Sequence, residues 1–360
     1  MEKKVIAFRR LRMAALGAFI LAVLLAGCAA IGPPTVDRDR FEYVSAISES
    51  WKRQTLLNLL KTRYLDAPVF MEIASVINQF ALEGELELGL EWGDEAQALT
   101  ATTTYTDRPT ISYAPLTGEK FARSLLRPLP LGTIMLLVQA GYPIDQLLQI
   151  CIQGINGLDN RANRYNAQNA DPEFYEVLWL LRQIQKREGM RMRSRLIDNK
   201  ETMVIFFGEP QTEAETLQLE RALHLLGLSP EAREFRVMYG FLPENDNEIA
   251  ILSRSLIQIM SEYASYIEVP DSDIAEGRVS AHARESAETE SRFPPLIRVR
   301  SGASKPDDAF VAVPYRKHWF WIDDRDLHSK RTFYFLMIMF SFTERGETGQ
   351  AAPILTVPTN

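Results

Sequence analysis

The side chains best suited to chemistry are concentrated in residues 316–331, RKHWFWIDDRDLHSKR. A hydrolase would use its imidazole and carboxylate groups as metal ligands or as acid–base pairs, and the candidates are His318, Asp323, Asp324, Asp326 and His328. On a helix that begins near Asp324, that residue and His328 share one face, while Asp323 and Asp326 point elsewhere. The spacing therefore favours a structural role: Asp323 or Asp324 caps the helix, and Asp326 lies in its first turn, facing the positive end of the dipole.

Two indole rings in the same segment suggest a binding surface. Trp319 and Trp321 are two residues apart and lie on the same side of a predicted strand. They would form an aromatic platform for a glycan or a lipid headgroup, although such residues more often belong to a core.

A polar stretch at 156–172 contains an asparagine at every third position, Asn160, Asn163, Asn166 and Asn169. This period would line one side of an extended or 3₁₀ segment with amides. The stretch is either a hydrogen-bonding contact surface for a protein or glycan partner, or an ordinary polar loop.

Other catalytic signatures do not occur in the sequence. There is no Gly-x-Ser-x-Gly elbow, and Ser301 precedes Lys305 by four residues instead of three. The sequence 154–157 lacks the third glycine of a phosphate-binding loop. Four scattered histidines do not indicate a transition-metal site, and no cofactor is expected. A carboxylate pair for glycoside hydrolysis stays open, because sequence alone does not tell which acids meet in space.

The N-terminus has the layout of a bacterial lipoprotein precursor. Residues 1–12 are basic, 13–26 are apolar and uncharged, and the stretch ends in Leu-Ala-Gly-Cys at 25–28. The apolar stretch suits a signal peptide and is shorter than the roughly 20 residues of a spanning helix. The sequence 25–28 resembles a lipobox, which implies cleavage before Cys28 and a diacylglycerol on its sulfur, with acyl chains such as palmitate. By the same resemblance, Ala29 in place of aspartate favours the outer membrane.

The charge of the chain argues against nucleic acid as a partner. The net charge is −7, and removal of residues 1–27, with five bases and one acid, makes it −11. Nucleic-acid binding depends on phosphate neutralisation by Lys and Arg, which an acidic protein supplies poorly. Cys151 is the second of two cysteines and lies in an apolar run, which predicts a buried thiol.

Periodicity predicts the elements that position these residues. In the first half, we expect a long amphipathic helix over 37–64 and β structure from about 69 to 114, with Leu86, Leu88 and Leu90 alternating with glutamates. Short helices are predicted near 117–126, 130–140 and 143–155, followed by a helix from Pro172 to about Glu188.

The second half is predicted to alternate strands and helices. We expect a hairpin over 190–208 that turns at Asp198-Asn199, a helix over 212–226, a strand near 234–241, and a helix over 247–264 capped by Asn245 or Asn247. A mobile polar loop is predicted at 269–294. Strands near 295–300, 309–314 and 317–322, a buried helix over 325–343 and an apolar tail at 353–357 follow.

Together these elements predict an α+β protein with small antiparallel or mixed sheets and strand–helix–strand units in its C-terminal half. The predicted segments are a signal peptide (1–27), a tether (28–36), a helical and β region (37–170), an α/β region (171–268), the polar loop (269–294) and a C-terminal region of strands plus a buried helix (295–360).

Four features together resemble a family of proteobacterial lipoproteins with no established activity: the lipobox, the helix start FEYVSAI at 41–47, the stretch DRPTISYAPLTG at 107–118 and WFWIDDRD at 319–326. The resemblance implies a lipid-anchored protein facing the periplasm and no particular catalytic residues.

The absence of a catalytic signature favours a non-catalytic component of an envelope complex. The alternatives are a periplasmic hydrolase acting on glycan or peptide, in which 316–331 lines the cleft, and a module that binds a small molecule or lipid.

Overall fold

A computed structural model describes residues 33–77, 80–89, 98–107, 110–160, 171–197, 200–280, 295–343 and 355–358. Within these ranges, no helix combines the length and apolarity needed to cross a membrane. The chain forms two compact units, Met1–Arg53 and Gln54–Asn360. The predicted α+β class is confirmed.

The strands are β1 (Phe70–Ile77), β2 (Phe80–Gly89), β3 (Ala98–Asp107), β4 (Thr110–Leu116), β5 (Ile152–Ile155), β6 (Leu158–Asp159), β7 (Met190–Ile197), β8 (Lys200–Phe207), β9 (Glu234–Tyr239), β10 (Glu248–Ser253), β11 (Arg300–Gly302), β12 (Ala309–Tyr315), β13 (His318–Asp323) and β14 (Leu355–Pro358). The helices are α1 (Pro33–Arg63), α2 (Glu119–Leu126), α3 (Leu131–Gln139), α4 (Ile144–Cys151), α5 (Pro172–Lys186), α6 (Glu213–Leu225), α7 (Leu256–Ser265), α8 (Asp271–Ala275) and α9 (Leu327–Thr343).

Helix α1 runs through both units. In the first unit its apolar residues Phe41, Val44 and Ile47 are exposed. In the second unit, Leu56, Leu59 and Leu60 are fully buried, as their spacing of three and four predicts.

The second unit begins with a side-chain clamp on the start of β1. The amide of Gln54 bonds both the N–H and the C=O of Met71, at 2.8 and 3.0 Å. One turn later, the amide of Asn58 makes the same pair of bonds to Val69, each at 2.9 Å. Because residues four apart lie on one helix face, the two amides together fix the extended chain alongside α1.

The largest sheet has the strand order β6-β5-β10-β9-β8-β7. Its neighbouring strands are antiparallel except β9 and β10, which are parallel. Helix α5 contacts both α4 and α6, and it buries a continuous apolar stripe: Phe174, Val177, Leu178, Leu181 and Ile184. Burial of such a stripe is the main source of stability for a helix–sheet core.

The parallel pair β9–β10 is joined by a short segment, residues 240–247, and not by a helix. This segment passes over β5, and the Gly157 N–H, two residues after that strand, donates to the Phe241 carbonyl oxygen at 2.8 Å. A Cβ atom at Gly154 would lie 2.6 Å from the Phe241 ring and 2.7 Å from the Leu158 carbonyl oxygen. The crossing therefore requires glycine at position 154.

The remaining sheets are smaller. Strands β1, β4 and β14 form one sheet in the order β1-β4-β14, and β11, β13 and β12 form another in the order β11-β13-β12. Strands β2 and β3 form a two-stranded antiparallel hairpin, which we call the β2–β3 arm.

Four predictions of secondary structure are wrong in detail. The predicted helix 247–264 begins as strand β10, and helix α7 starts only after Ser255, whose side chain and Gln258 form a capping box. Strand β10 is buried along almost its whole length, so it lacks the alternation that marks a half-exposed strand. The predicted helix 143–155 ends at Cys151 and continues as β5.

Part of the predicted mobile loop is ordered structure. Residues 271–275 form α8, and Asp273 within it is buried. Residues 281–294 lie outside the described ranges, as does the predicted turn at Asp198-Asn199. The strand predicted at 295–300 is displaced, because β11 begins at Arg300 and Val299 makes only an isolated bridge to Ile267.

We expect Gly154→Ala to lower the free energy of unfolding by about 1–3 kcal/mol, because the added methyl group overlaps Phe241 and the backbone. Urea denaturation followed by circular dichroism measures the change. Gly132→Ala in α3 is the matched control: its Cβ would meet no atom within 4 Å, and we expect a gain of up to about 1 kcal/mol. Equal midpoints for the two variants would contradict the close packing at position 154.

Candidate functional site

The candidate site is built on β13, whose alternation separates two faces. Phe320 and Ile322 are buried, while Trp319 and Trp321 are partly exposed on the opposite face. The two indole rings therefore share one side of the strand, as predicted. They belong to an accessible sheet face, which differs from the core position that is more usual for such residues.

The accessible face, which we call the tryptophan face, is completed by neighbouring strands. A Cβ atom at Gly302 of β11 would lie 3.2 Å from the Trp321 ring, so this ring rests on bare backbone. Lys305 Nζ lies 6.0 Å from the Trp319 ring centroid, at the outer limit of a cation–π contact. At the other end, Arg300 and Asp323 form an ion pair at 3.4 Å. The face combines flat apolar rings with charged groups of both signs.

The opposite face of this sheet packs into the core. The Phe320 ring meets the Tyr64 ring edge to face, with centroids 6.3 Å apart. On β12, Phe310 meets Phe333 of helix α9 in the same way, at 6.1 Å. These contacts hold the tryptophan face rigidly on the core.

The turn between β12 and β13 is conformationally unusual. Its two central residues, Arg316 and Lys317, have φ values of 45° and 71°. A two-residue hairpin of this type normally uses Asn-Gly, since the left-handed region costs other residues about 1–2 kcal/mol each. Arg316 gains compensating contacts: its guanidinium is 3.1 Å from the Asp66 carboxylate and 5.0 Å from the centroid of the Tyr64 ring.

A hydrogen-bonded network extends from this turn to α8. Tyr315 donates to Asp66, and this bond, together with Arg316, holds the pKa of Asp66 below its ordinary value. Tyr64 donates to Asp273 at 2.6 Å. Burial, with a contribution from Asp273, raises the pKa of Tyr64, so the phenol stays protonated. The end of α1, helix α8 and the β12–β13 turn are thus fixed to one another.

The helix that follows β13 is capped by a residue other than the two predicted. Helix α9 begins at Leu327, and Asp326 accepts the Ser329 N–H at 3.0 Å and the Ser329 hydroxyl at 2.7 Å. Burial opposes ionisation of Asp326, but the two bonds from Ser329 outweigh it and lower its pKa. The expectation that Asp323 or Asp324 is the cap is therefore wrong, because the helix starts later than predicted.

The other candidates of this segment bind separate partners. Asp323 accepts the Arg325 N–H at 2.9 Å, Asp324 pairs with Lys330 at 2.7 Å, and His328 Nε2 lies 3.1 Å from the Pro295 carbonyl oxygen. Among the residues that the structure describes, no group of three or more His, Cys, Asp or Glu side chains is arranged to hold a metal ion.

The asparagine row is only partly described. Asn160 is buried and donates to the carbonyl oxygens of Gln149 and Ile152, both at 2.8 Å. It is therefore a structural residue, and its proposed place in a partner surface is wrong. Asn163, Asn166 and Asn169 lie outside the described residues, as do Cys28 and the segment before it.

A buried polar centre at the end of α4 was not predicted from sequence. Arg254 is buried and donates to the carbonyl oxygens of Gln149 and Ile150, each at 3.2 Å. Cys151 beside it is fully buried, as predicted, and burial raises the pKa of its thiol to about 12. The only sequence signal is an arginine between two serines, with apolar runs on either side.

Comparisons with protein-family models, curated proteins and solved structures gave no match.

We expect Asp326→Ala to lower the free energy of unfolding by about 1 kcal/mol, because α9 loses its cap. Asp324→Ala removes only an ion pair with an exposed carboxylate, which changes stability by less than about 0.5 kcal/mol. Thermal or urea unfolding of the two variants measures both effects. A larger loss for Asp324→Ala than for Asp326→Ala would mean that α9 begins at the earlier residue.

Proposed function

We propose that this protein is a lipid-anchored lipoprotein facing the periplasm, which acts as a non-catalytic structural or assembly component of an envelope complex. The observation that carries the proposal is the Leu-Ala-Gly-Cys sequence at 25–28, which follows a basic and then an apolar segment. Two or three acyl chains on Cys28 would anchor the chain stably, since each buried methylene contributes about 0.8 kcal/mol. Ala29 favours the outer membrane as the destination.

The position of α1 supports an anchored role. The helix begins at Pro33, five residues after Cys28 in the sequence. Phe41, Val44 and Ile47 are exposed there at intervals of three residues, and the exposed fraction of Phe41 is 69%. An exposed apolar stripe of this kind is typical of surfaces that contact other proteins or membranes.

The geometry of residues 316–331 supports a role other than catalysis. Asp326 caps a helix, Asp324 pairs with Lys330 and His328 contacts a backbone carbonyl. An acid–base pair needs both groups free to reach the atoms of one bound substrate, and in this structure each group is bound to a separate neighbour. The same positions would have to rearrange to serve a hydrolase.

We expect Cys28→Ser to abolish labelling by radioactive palmitate and to release the protein from the membrane fraction, because the acylated sulfur is lost. Cys151→Ala is the matched control, since it removes the other thiol and leaves the lipobox intact. Crosslinking in intact cells and purification of a C-terminally tagged chain would then recover envelope proteins with the unaltered chain and not with Cys28→Ser. Unchanged labelling and fractionation of Cys28→Ser would contradict the anchor, and recovery of the lipoprotein alone would contradict the assembly role.

The tryptophan face favours one second candidate function, binding of a glycan. Trp319 and Trp321 are partly exposed side by side, with the Arg300–Asp323 ion pair at one end of the face. Indole faces stack on the apolar faces of sugar rings, and charged groups at the rim can bond sugar hydroxyls.

We expect Trp319→Ala to weaken binding of the full chain to insoluble peptidoglycan, measured by sedimentation, about two- to twelvefold, because one stacking ring of about 0.5–1.5 kcal/mol is lost. Trp179→Ala is the control, since Trp179 is an exposed indole on α5. Equal sedimentation of both variants and of the unaltered chain would exclude this use of the face.

A further inference from the structure

Strand β7 presents a row of arginines on one face of the largest sheet. Arg191, Arg193 and Arg195 occupy alternate positions of this strand, and all are exposed. The register continues the middle row across the sheet from Arg193 to Val204 and then to Arg236, which is also exposed. We call this surface, made of Arg191, Arg193, Arg195 and Arg236, the arginine face.

The charge of the arginine face is incompletely compensated. Arg195 is paired with Glu234. Throughout the described ranges, no carboxylate lies within 4 Å of Arg191, Arg193 or Arg236, whereas arginines such as Arg221 are paired. In a chain of net charge −7, an exposed positive patch of this kind attracts an anionic partner.

The β2–β3 arm has the complementary composition. Positions 83, 85 and 87 of β2 are glutamates, β3 ends in Asp107, and neither strand contains Lys or Arg. Both strands are ten residues long and, within the described part of the chain, pair with each other alone. A two-stranded hairpin is at best marginally stable in water, so an arm of this length gains stability from an additional partner.

We propose that the β2–β3 arm of one copy of this chain docks on the arginine face of a second copy. The three glutamates and the three arginines of β7 both recur every second residue, a spacing of about 6.6–6.8 Å in extended chains. If β2 lies over the arginine face with its axis along β7, its glutamates and the arginines keep the same spacing for all three pairs. The proposal deepens the proposed scaffold role, on which its biological meaning rests, by adding a further copy of the same protein to the envelope proteins as a partner.

The geometry at β7 decides how the arm docks. Although β7 is the last strand of its sheet, Gln139 of α3 donates to its Met192 carbonyl oxygen at 2.9 Å. The outer edge of β7 is therefore occupied at that point, and the arm contacts the side chains of the arginine face instead of extending the sheet. A symmetric pairing of two β7 strands would oppose like charges, which is unfavourable.

The proposed contact joins two different surfaces, the β2–β3 arm of one copy and the arginine face of the next, so it is a heterologous (head-to-tail) contact. Each copy offers one arm and one arginine face, and repetition of the contact gives a ring if the rotation closes or a filament if it does not.

The test uses two full-length chains with different tags, expressed together and purified in detergent at low salt through one tag. We expect a triple variant, Arg191→Glu with Arg193→Glu and Arg195→Glu, to recover at least about tenfold less of its own differently tagged copy, because three exposed ion pairs are replaced by repulsion. The arm variant with Glu83→Arg, Glu85→Arg and Glu87→Arg should lose self-association to the same extent. Mixed together, the two variants should recover each other, because the reversed arm matches the reversed face.

Three controls keep the result interpretable. A chain with Arg123→Glu, Arg221→Glu and Arg278→Glu has the same change of net charge at exposed sites outside the arginine face, and we expect it to associate normally. If the Arg→Glu variant unfolds by circular dichroism, the milder triple Arg→Gln variant replaces it. The proposed contact does not involve Cys28, so we expect Cys28→Ser to self-associate in detergent like the unaltered chain. This variant therefore distinguishes failure of the anchor from failure of the docking.

Three results would overturn the proposal. One is self-association that the triple variants leave unchanged, and another is failure of the two reversed chains to recover each other. The third is a monomeric chain whose Arg→Glu variant instead loses binding to vesicles containing an anionic phospholipid, which would assign the arginine face to lipid phosphates.

Discussion

The carbonyl groups at the C-terminal end of α4 lie inside the protein, and their need for hydrogen-bond donors shapes its centre. Buried backbone acceptors without partners are costly. Here Arg254, which follows β10, and Asn160, which follows β6, converge on the carbonyls of residues 149–152. These bonds fix where the helix stops and β5 begins, and they hold β5 against β10. The charge of Arg254 is also favourable beside the negative end of a helix dipole.

A second network connects the remaining parts of the larger unit. The end of α1 supplies Tyr64 and Asp66, which bond α8 through Asp273 and the β12–β13 turn through Tyr315 and Arg316. The inner face of the β11–β13–β12 sheet packs on Tyr64 through Phe320. This contact fixes the position of the sheet, and with it the tryptophan face on the outer side. The sheet and helices of the centre provide a rigid support, and the accessible surfaces lie on its strands.

Sequence periodicity predicted the long elements because their burial is one-sided. Helix α1, helix α5 and the β7–β8 hairpin each have a repeating apolar pattern, and each occurs close to its predicted bounds. The sequence of β10 predicts a helix instead of a strand for two reasons. Both faces of the strand are buried, so its residues do not alternate between apolar and polar, and the asparagines before it resemble helix caps. Hydrogen bonds between residues far apart in the chain cannot be predicted from periodicity. The burial of Asp273, the capping role of Asn160 and the ion pair of Arg316 all depend on such contacts. The alternation of Trp319 and Trp321 predicted a shared side, but not its accessibility.

The strand order of the largest sheet has a consequence for how the chain folds as it is made. Its inner strand β10 is synthesised after β5, β7, β8 and β9. The side chain of Gln153, in β5, donates a hydrogen bond to the carbonyl oxygen of Ser253 in β10, which is 100 residues further along the chain. Until β10 arrives, β5 and β9 present open edges, which are prone to aggregate and slow to pair correctly. A chain made from its N-terminus passes through this incomplete state, in which the unpaired edges of β5 and β9 favour aggregation until β10 pairs with both.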